Sequence, residues 1–100
     1  MLIWICVDSK DGNSSKITKV MDAKYWALVE FDAGKVKEIS FYHKREDFME
    51  WVDFIIMKDK YESYMEFMNE GMMVLCTRKE ESIEEIMESF TFKELDEVGF

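Results

Sequence analysis

Proline is absent from this chain, and glycine occurs only four times in 100 residues. Tight turns that need a positive φ are therefore few, and no Walker loop or glycine-rich phosphate cradle is present. The two cysteines, Cys6 and Cys76, each lie inside an apolar run, which excludes a CxxC redox pair or a cysteine zinc motif and points to buried, reduced thiols. Histidine occurs once, at His43. The N-terminal apolar run Leu2–Val7 is too short for a membrane span or a signal core, and no basic segment precedes it, so a cytoplasmic protein is expected. No nucleophile–base pair is visible in the sequence, and the expectation is a protein that is not an enzyme.

Positive charge is scarce as well. Thirteen Lys and Arg stand against 22 Asp and Glu, a net charge of −9. Residues 1–50 carry eight basic and nine acidic side chains (net −1), whereas residues 51–100 carry five and thirteen (net −8). Such a surface repels phosphate backbones and anionic lipid, which argues against nucleic-acid and membrane partners. Most of the acidic residues fall on outward helix positions and read as a solvated face.

What is present is a packed core. With 48% hydrophobic and 15% aromatic residues, the chain reads as one domain over residues 1–100. At this size it buries roughly 65% of the surface that the unfolded chain exposes. Leu2–Val7 is uniformly apolar, as in a central strand covered on both faces. Tyr25–Phe31 and Val36–Tyr42 are β-rich and joined by Asp32-Ala33-Gly34-Lys35, a hairpin connection. Lys37 and Glu38 in the second of these would guard an exposed edge. Arg45–Trp51 has room for two helical turns with Phe48 and Trp51 on one side. Strand Phe54–Met57 follows, and then a helix over about Tyr61–Glu70. That helix puts Tyr61, Tyr64, Met65 and Met68 on an inward stripe, with Glu62, Glu66 and Glu70 opposite. Gly71 ends it. Strand Met72–Cys76 leads to Ser82-Ile83-Glu84-Glu85, a capping box that opens a helix with Ile83, Ile86, Met87 and Phe90 inward. The tail Thr91–Phe100 adds a turn at most.

The order and wording of these segments resemble the dinitrogenase iron–molybdenum cofactor biosynthesis family, the nitrogenase accessory-factor-like domains. The likeness is carried by Val7-Asp8, Ser15-Lys16-Ile17, Ala23-Lys24-Tyr25-Trp26, Phe31-Asp32-Ala33-Gly34-Lys35-Val36 with Glu38, Gly71-Met72-Met73-Val74, Ser82-Ile83-Glu84-Glu85 and Phe90–Leu95. The resemblance implies a three-layer α/β fold, a mixed five-stranded sheet with flanking helices in a ribonuclease-H-like layout. It implies a non-catalytic accessory or carrier domain for an anionic iron–sulfur or iron–molybdenum cluster precursor, with a cofactor-biosynthesis protein as partner. It also departs at three places. Val20-Met21-Asp22 replaces a Phe-Gly-Arg turn, Lys58-Asp59-Lys60 replaces a double-glycine loop, and His43-Lys44 stands in a shortened histidine–glycine segment. A second reading therefore stands beside the first: a member that has lost its ligand and works through protein–protein contacts.

For the carrier reading, the anion-binding candidates are Lys16, Lys19, Lys24, His43, Lys58 and Lys60, and the metal candidates are His43 and Cys76. Each also has a plain structural explanation as a solvated lysine, a strand-end histidine or a core cysteine. Phe67, off the apolar stripe, together with Trp26 and Trp51, are candidate exposed aromatics of the kind that anchor a partner. A third reading, magnesium-dependent hydrolysis, requires Asp8 to converge with Glu30, Asp53 or Asp59. Asp8 is read more simply as a loop residue bonding its own backbone. The oligomeric expectation is a monomer or a weak homodimer paired through the edge strand.

Overall fold

The apolar run at the start of the chain forms strand β1 (Leu2–Val7), and burial on both of its faces places it inside the sheet. In the computed structural model, which describes residues 1–98, Ile3, Ile5 and Val7 enter one apolar cluster and Trp4 enters the other. Strands β2 (Tyr25–Asp32) and β3 (Lys35–Tyr42) form the expected hairpin, and β2 lies antiparallel to β1. Strands β4 (Phe54–Met57) and β5 (Met73–Cys76) run parallel to β1, and a short β6 (Asp96–Glu97) closes the far edge antiparallel to β5. The strand order is β3-β2-β1-β4-β5-β6, a mixed sheet.

The hairpin loop is two residues long, with Ala33 at φ 52° and Gly34 at φ 77°. Both central residues are left-handed, as a type I′ turn demands. Ala33 pays the Cβ penalty of that region without the local hydrogen bond an Asn would offer.

Helices α1 (Met65–Asn69) and α2 (Ile83–Thr91) pack on opposite faces. Phe67 of α1 joins Trp4, Ile55, Val74 and Cys76, and Ile83, Ile86 and Met87 of α2 join Ile5, Val29 and Ile56. The capping box forms as read: Ser82 Oγ accepts from Glu85 N–H at 3.2 Å, and the Glu85 carboxylate accepts from Ser82 N–H at 3.1 Å. Gly71, at φ 92°, terminates α1 in a Schellman pattern: Gly71 N–H donates to Met68 O at 2.9 Å and Met72 N–H to Phe67 O at 3.1 Å. Helix α2 ends the same way without glycine. Lys93 takes φ 57°, its N–H donates to Phe90 O at 3.1 Å, and Glu94 N–H donates to Ser89 O at 2.8 Å.

Four expectations are corrected. The sheet has six strands rather than five. The sixth is a two-residue acidic pair with no apolar alternation to announce it, held by Leu95 and Val98, which are buried on its two sides. Residues 99–100 of the expected tail lie outside the described residues.

Residues 45–51 make only a 3₁₀ turn, Arg45–Asp47, after which Phe48 is extended at φ −120° and ψ 114°. A seven-residue helix is too short to be stable without tertiary packing of one face, and here Phe48 packs edge-on against Trp4 at 5.9 Å from an extended backbone instead. Helix α1 is five residues long rather than about ten, because residues 59–62 fold into a turn closed by Glu62 N–H to Asp59 O at 3.2 Å. The stripe is consequently misassigned. Phe67 is fully buried, Tyr64 and Met68 are half-buried against the same cluster, and Tyr61 and Met65 are exposed, so the inward side of this short helix is centred on Phe67.

Candidate functional site

Because β1, β4 and β5 are adjacent and parallel, their carboxyl ends open on one edge of the sheet. In open α/β sheets this edge is where ligands bind. Three segments meet there: the β1–β2 connection, the loop after β4, and the loop after β5. A cleft of about 470 Å³ lies between them, lined by Asp8, Lys16, Lys58, Arg78, Glu80 and Glu81 among others. The β1–β2 connection is stitched to the start of α2 by Ile17 N–H to Glu81 O at 2.7 Å and Ile83 N–H to Ser15 O at 3.0 Å.

Several backbone donors at this edge are taken by the chain's own carboxylates. After β4, Glu62 accepts from Val20 N–H at 2.7 Å with one oxygen and from Asp59 N–H at 3.0 Å with the other, tying two separate loops together. After β5, one Glu80 oxygen accepts from Arg78 N–H at 2.8 Å and Lys79 N–H at 3.1 Å, while the other accepts from the Ser89 hydroxyl at 2.6 Å. Glu80 is 8% exposed. Burial acts to raise its pKa, but the Ser89 hydroxyl and the backbone N–H groups of Arg78, Glu80 and Lys79 outweigh it and hold the carboxyl down at about 2. Glu85, taken up by the Ser82 and Glu81 N–H groups and the Ser82 hydroxyl, is lowered as well. Arg78 is itself engaged: its Nε donates to Asp96 Oδ1 at 2.9 Å.

Of the six anion-binding candidates, the structure brings Lys16 and Lys58 into this cleft. Lys60 lies over the Tyr61 ring, its Nζ 5.4 Å from the centroid. Lys19 and Lys24 are exposed on the β1–β2 connection. His43 is exposed beyond β3, with its ring 5.1 Å from that of Tyr25, and it lines a different, smaller cleft with Trp26, Arg45 and Glu66. Cys76 is buried beneath the sheet edge, where burial and then nearby Asp96 push its thiol pKa up. Burial, with Glu62, does the same to Cys6. Among the described residues no group of three or more His, Cys, Asp or Glu side chains is arranged to hold a metal ion.

Of the carboxylates named for magnesium binding, Asp59 follows β4 at the same sheet edge as Asp8, but Glu30 and Asp53 do not converge with them. Asp8 follows the carboxyl end of β1 and accepts from Lys16 N–H at 3.2 Å, the loop-closing role read for it. Glu30 pairs with Leu2, and Asp53 accepts from Leu2 N–H at 2.8 Å, both at the opposite end of β1. A six-residue strand separates them by about 20 Å.

Sequence reasoning missed Glu62 and Glu80. One signal for Glu62 was present: Asp59-Lys60-Tyr61-Glu62 has the spacing of a capping box, and Asp59 Oδ1 also accepts from Tyr61 N–H at 2.8 Å. Glu80 had no such signal, because Ser89 is brought to it by tertiary packing.

The fold so defined is an α/β domain with a mixed six-stranded sheet and a helix on each face. No protein-family model and no curated protein matches the chain. Solved structures do. A candidate dinitrogenase from Methanocaldococcus jannaschii superposes with a TM-score of 0.76 at 22% identity, covering 99% of this chain and 95% of that one. An NMR structure of the same candidate dinitrogenase, its source named Methanococcus jannaschii, gives 0.78 at 19% identity over 100% and 94%. A candidate NifB protein from Thermotoga, assigned to the DUF35 family, gives 0.71 at 19% over 99% and 95%. At these identities the likeness establishes the fold. Among the described residues no helix is long and apolar enough to cross a membrane.

Proposed function

We propose that this protein is a non-catalytic accessory domain that works through protein–protein contacts, with the ligand edge of its fold closed by its own side chains. The observation that carries this is the occupation of the loop N–H groups by Glu62 and Glu80. An anionic cluster precursor would need those donors, and it would meet two resident carboxylates in their place. Its cysteine candidate is a buried thiol whose pKa burial raises, and its histidine candidate lines another cleft. The residues present therefore fit such a cluster poorly. The strand order β3-β2-β1-β4-β5 supports reading the scaffold as ribonuclease-H-like, and the structural neighbours support a kinship with nitrogenase-related accessory domains.

Anaerobic reconstitution with iron and sulfide, followed by metal analysis and a visible spectrum, tests the reading. It predicts no retained iron and no charge-transfer band. Stoichiometric iron with a band that disappears in a His43→Ala, Cys76→Ala double variant would restore the carrier role.

A further inference from the structure

The connection from β3 to β4, residues 43–53, is anchored firmly yet presents its largest apolar side chains to solvent. Arg45 forks onto both carboxylate oxygens of Glu70, with one contact at 3.1 Å, and its guanidinium carbon lies 4.9 Å from the centroid of the Phe67 ring. Phe48 packs edge-on against Trp4, and Val52 is buried. At the far end Asp53 accepts from Leu2 N–H and from the Trp51 indole N–H at 3.1 Å. Between these anchors Met49 is 87% exposed and Trp51 60% exposed. Trp51 is nevertheless held in place. Its ring lies over Gly71 so closely that a Cβ there would stand 2.5 Å from Trp51 Cη2.

Trp51, Met49, Val52 and Met72 line a groove of about 430 Å³ whose charged lining is Arg45, Glu46, Glu50 and Glu70. Arg45 is already paired with Glu70, and Glu66 stands 3.8 Å away, so the field over the groove is negative. A fixed indole and a flexible methionine within an acidic rim suit one kind of occupant. Tryptophan anchors are enriched among interface residues that carry binding energy, methionine adapts to varied apolar partners, and rim carboxylates favour lysine and arginine. We infer that the Met49–Trp51 groove is a docking surface for a basic amphipathic segment of a partner protein, an apolar side chain seated against Trp51 and flanking cations on Glu46 and Glu50. This rests on the protein-contact reading given above and names the surface that carries it.

The test uses the whole chain and a fluorescently labelled 14-residue amphipathic Leu/Lys peptide, followed by anisotropy and by amide shifts in ¹H–¹⁵N spectra. The Leu/Lys peptide is expected to bind more weakly as salt rises. Trp51→Ala and Met49→Ser each weaken it about tenfold or more, in keeping with an anchor at the centre of an interface. Glu46→Gln with Glu50→Gln weakens it more than the equal charge change Glu84→Gln with Glu88→Gln on α2. Met49 is nearly fully exposed, so its variant keeps the fold even where Trp51→Ala loosens the loop. The inference is overturned by no binding at about 1 mM, by equal binding of a Leu/Glu peptide, or by Met49→Ser leaving the affinity unchanged. Shifts clustered on another face would move the interaction surface and leave the protein-contact reading intact, whereas iron retained on reconstitution would remove that reading itself.

Discussion

Replacing Glu80 separates the geometric from the electrostatic part of the loop closure. In Glu80→Ala the hydroxyl of Ser89, a buried residue of α2, loses its acceptor, and the Arg78 and Lys79 N–H groups turn to water. An unsatisfied buried hydroxyl costs about 1–3 kcal/mol, and the lost charge-assisted bonds add to it, so a destabilisation of about 3 kcal/mol is expected. Glu80→Gln keeps an acceptor for the loop and an amide for Ser89 but gives up the charge, and it should cost about 1–1.5 kcal/mol. With a urea m-value of roughly 1.5 kcal/mol/M, the midpoints at pH 7 fall by about 2 M and about 1 M respectively. The pH dependence has a definite sign. The folded carboxyl titrates at about 2, below its ordinary 4.5, so its stabilising contribution is complete above the unfolded value and is lost as pH falls from 4.5 toward 2. Glutamine does not titrate. The gap between wild type and Glu80→Gln should therefore shrink by on the order of 0.8 kcal/mol between pH 7 and pH 4. Equal midpoints at pH 7, or a gap that widens on acidification, would refute the reasoning.

The left-handed residues give a gain. Ala33→Gly in the hairpin turn and Lys93→Gly at the end of α2 each relieve a Cβ penalty and should stabilise by about 0.5–1 kcal/mol, read as a thermal midpoint a few degrees higher. Gly71→Ala should do the reverse, losing about 1–2 kcal/mol because the left-handed position is strained. It should also displace Trp51 and change its fluorescence. Phe67→Ala should cost about 3–5 kcal/mol in urea unfolding, and Met65→Ala less than about 0.5, the opposite of the order that helical periodicity suggests.

Where the chain's own neighbours decide a structure, the sequence was readable. The uniform apolar run of β1, the hairpin connection within Asp32–Lys35, the Ser82–Glu85 box and Gly71 are local signals with local causes, and the structure contains each of them. Where a distant residue decides, the reading failed. Periodicity extended α1 back to Tyr61, but Glu62 is diverted by Val20 N–H, 42 residues away in sequence, and the helix begins only at Met65. Strand β6 was invisible because Asp96 and Glu97 have no strand propensity; pairing with β5 and the Arg78 contact hold them. The end of α2 carried no glycine to mark it, since Lys93 fills the left-handed position. The candidate lysines scatter for the same reason. Lys16 and Lys58 meet because β1 and β4 are neighbours, a fact of strand order, whereas His43 leaves the sheet beyond the distant β3.

The central claim is that Glu62 and Glu80 occupy the donors with which this sheet edge would hold an anion. Backbone amide shifts during a titration with inorganic phosphate to about 50 mM test it directly. In the wild type the Val20, Asp59, Arg78 and Lys79 amides should not move, and in Glu62→Ala the Val20 and Asp59 amides should shift as phosphate takes the vacated place. Saturable movement of those four amides in the unmodified protein would contradict the account.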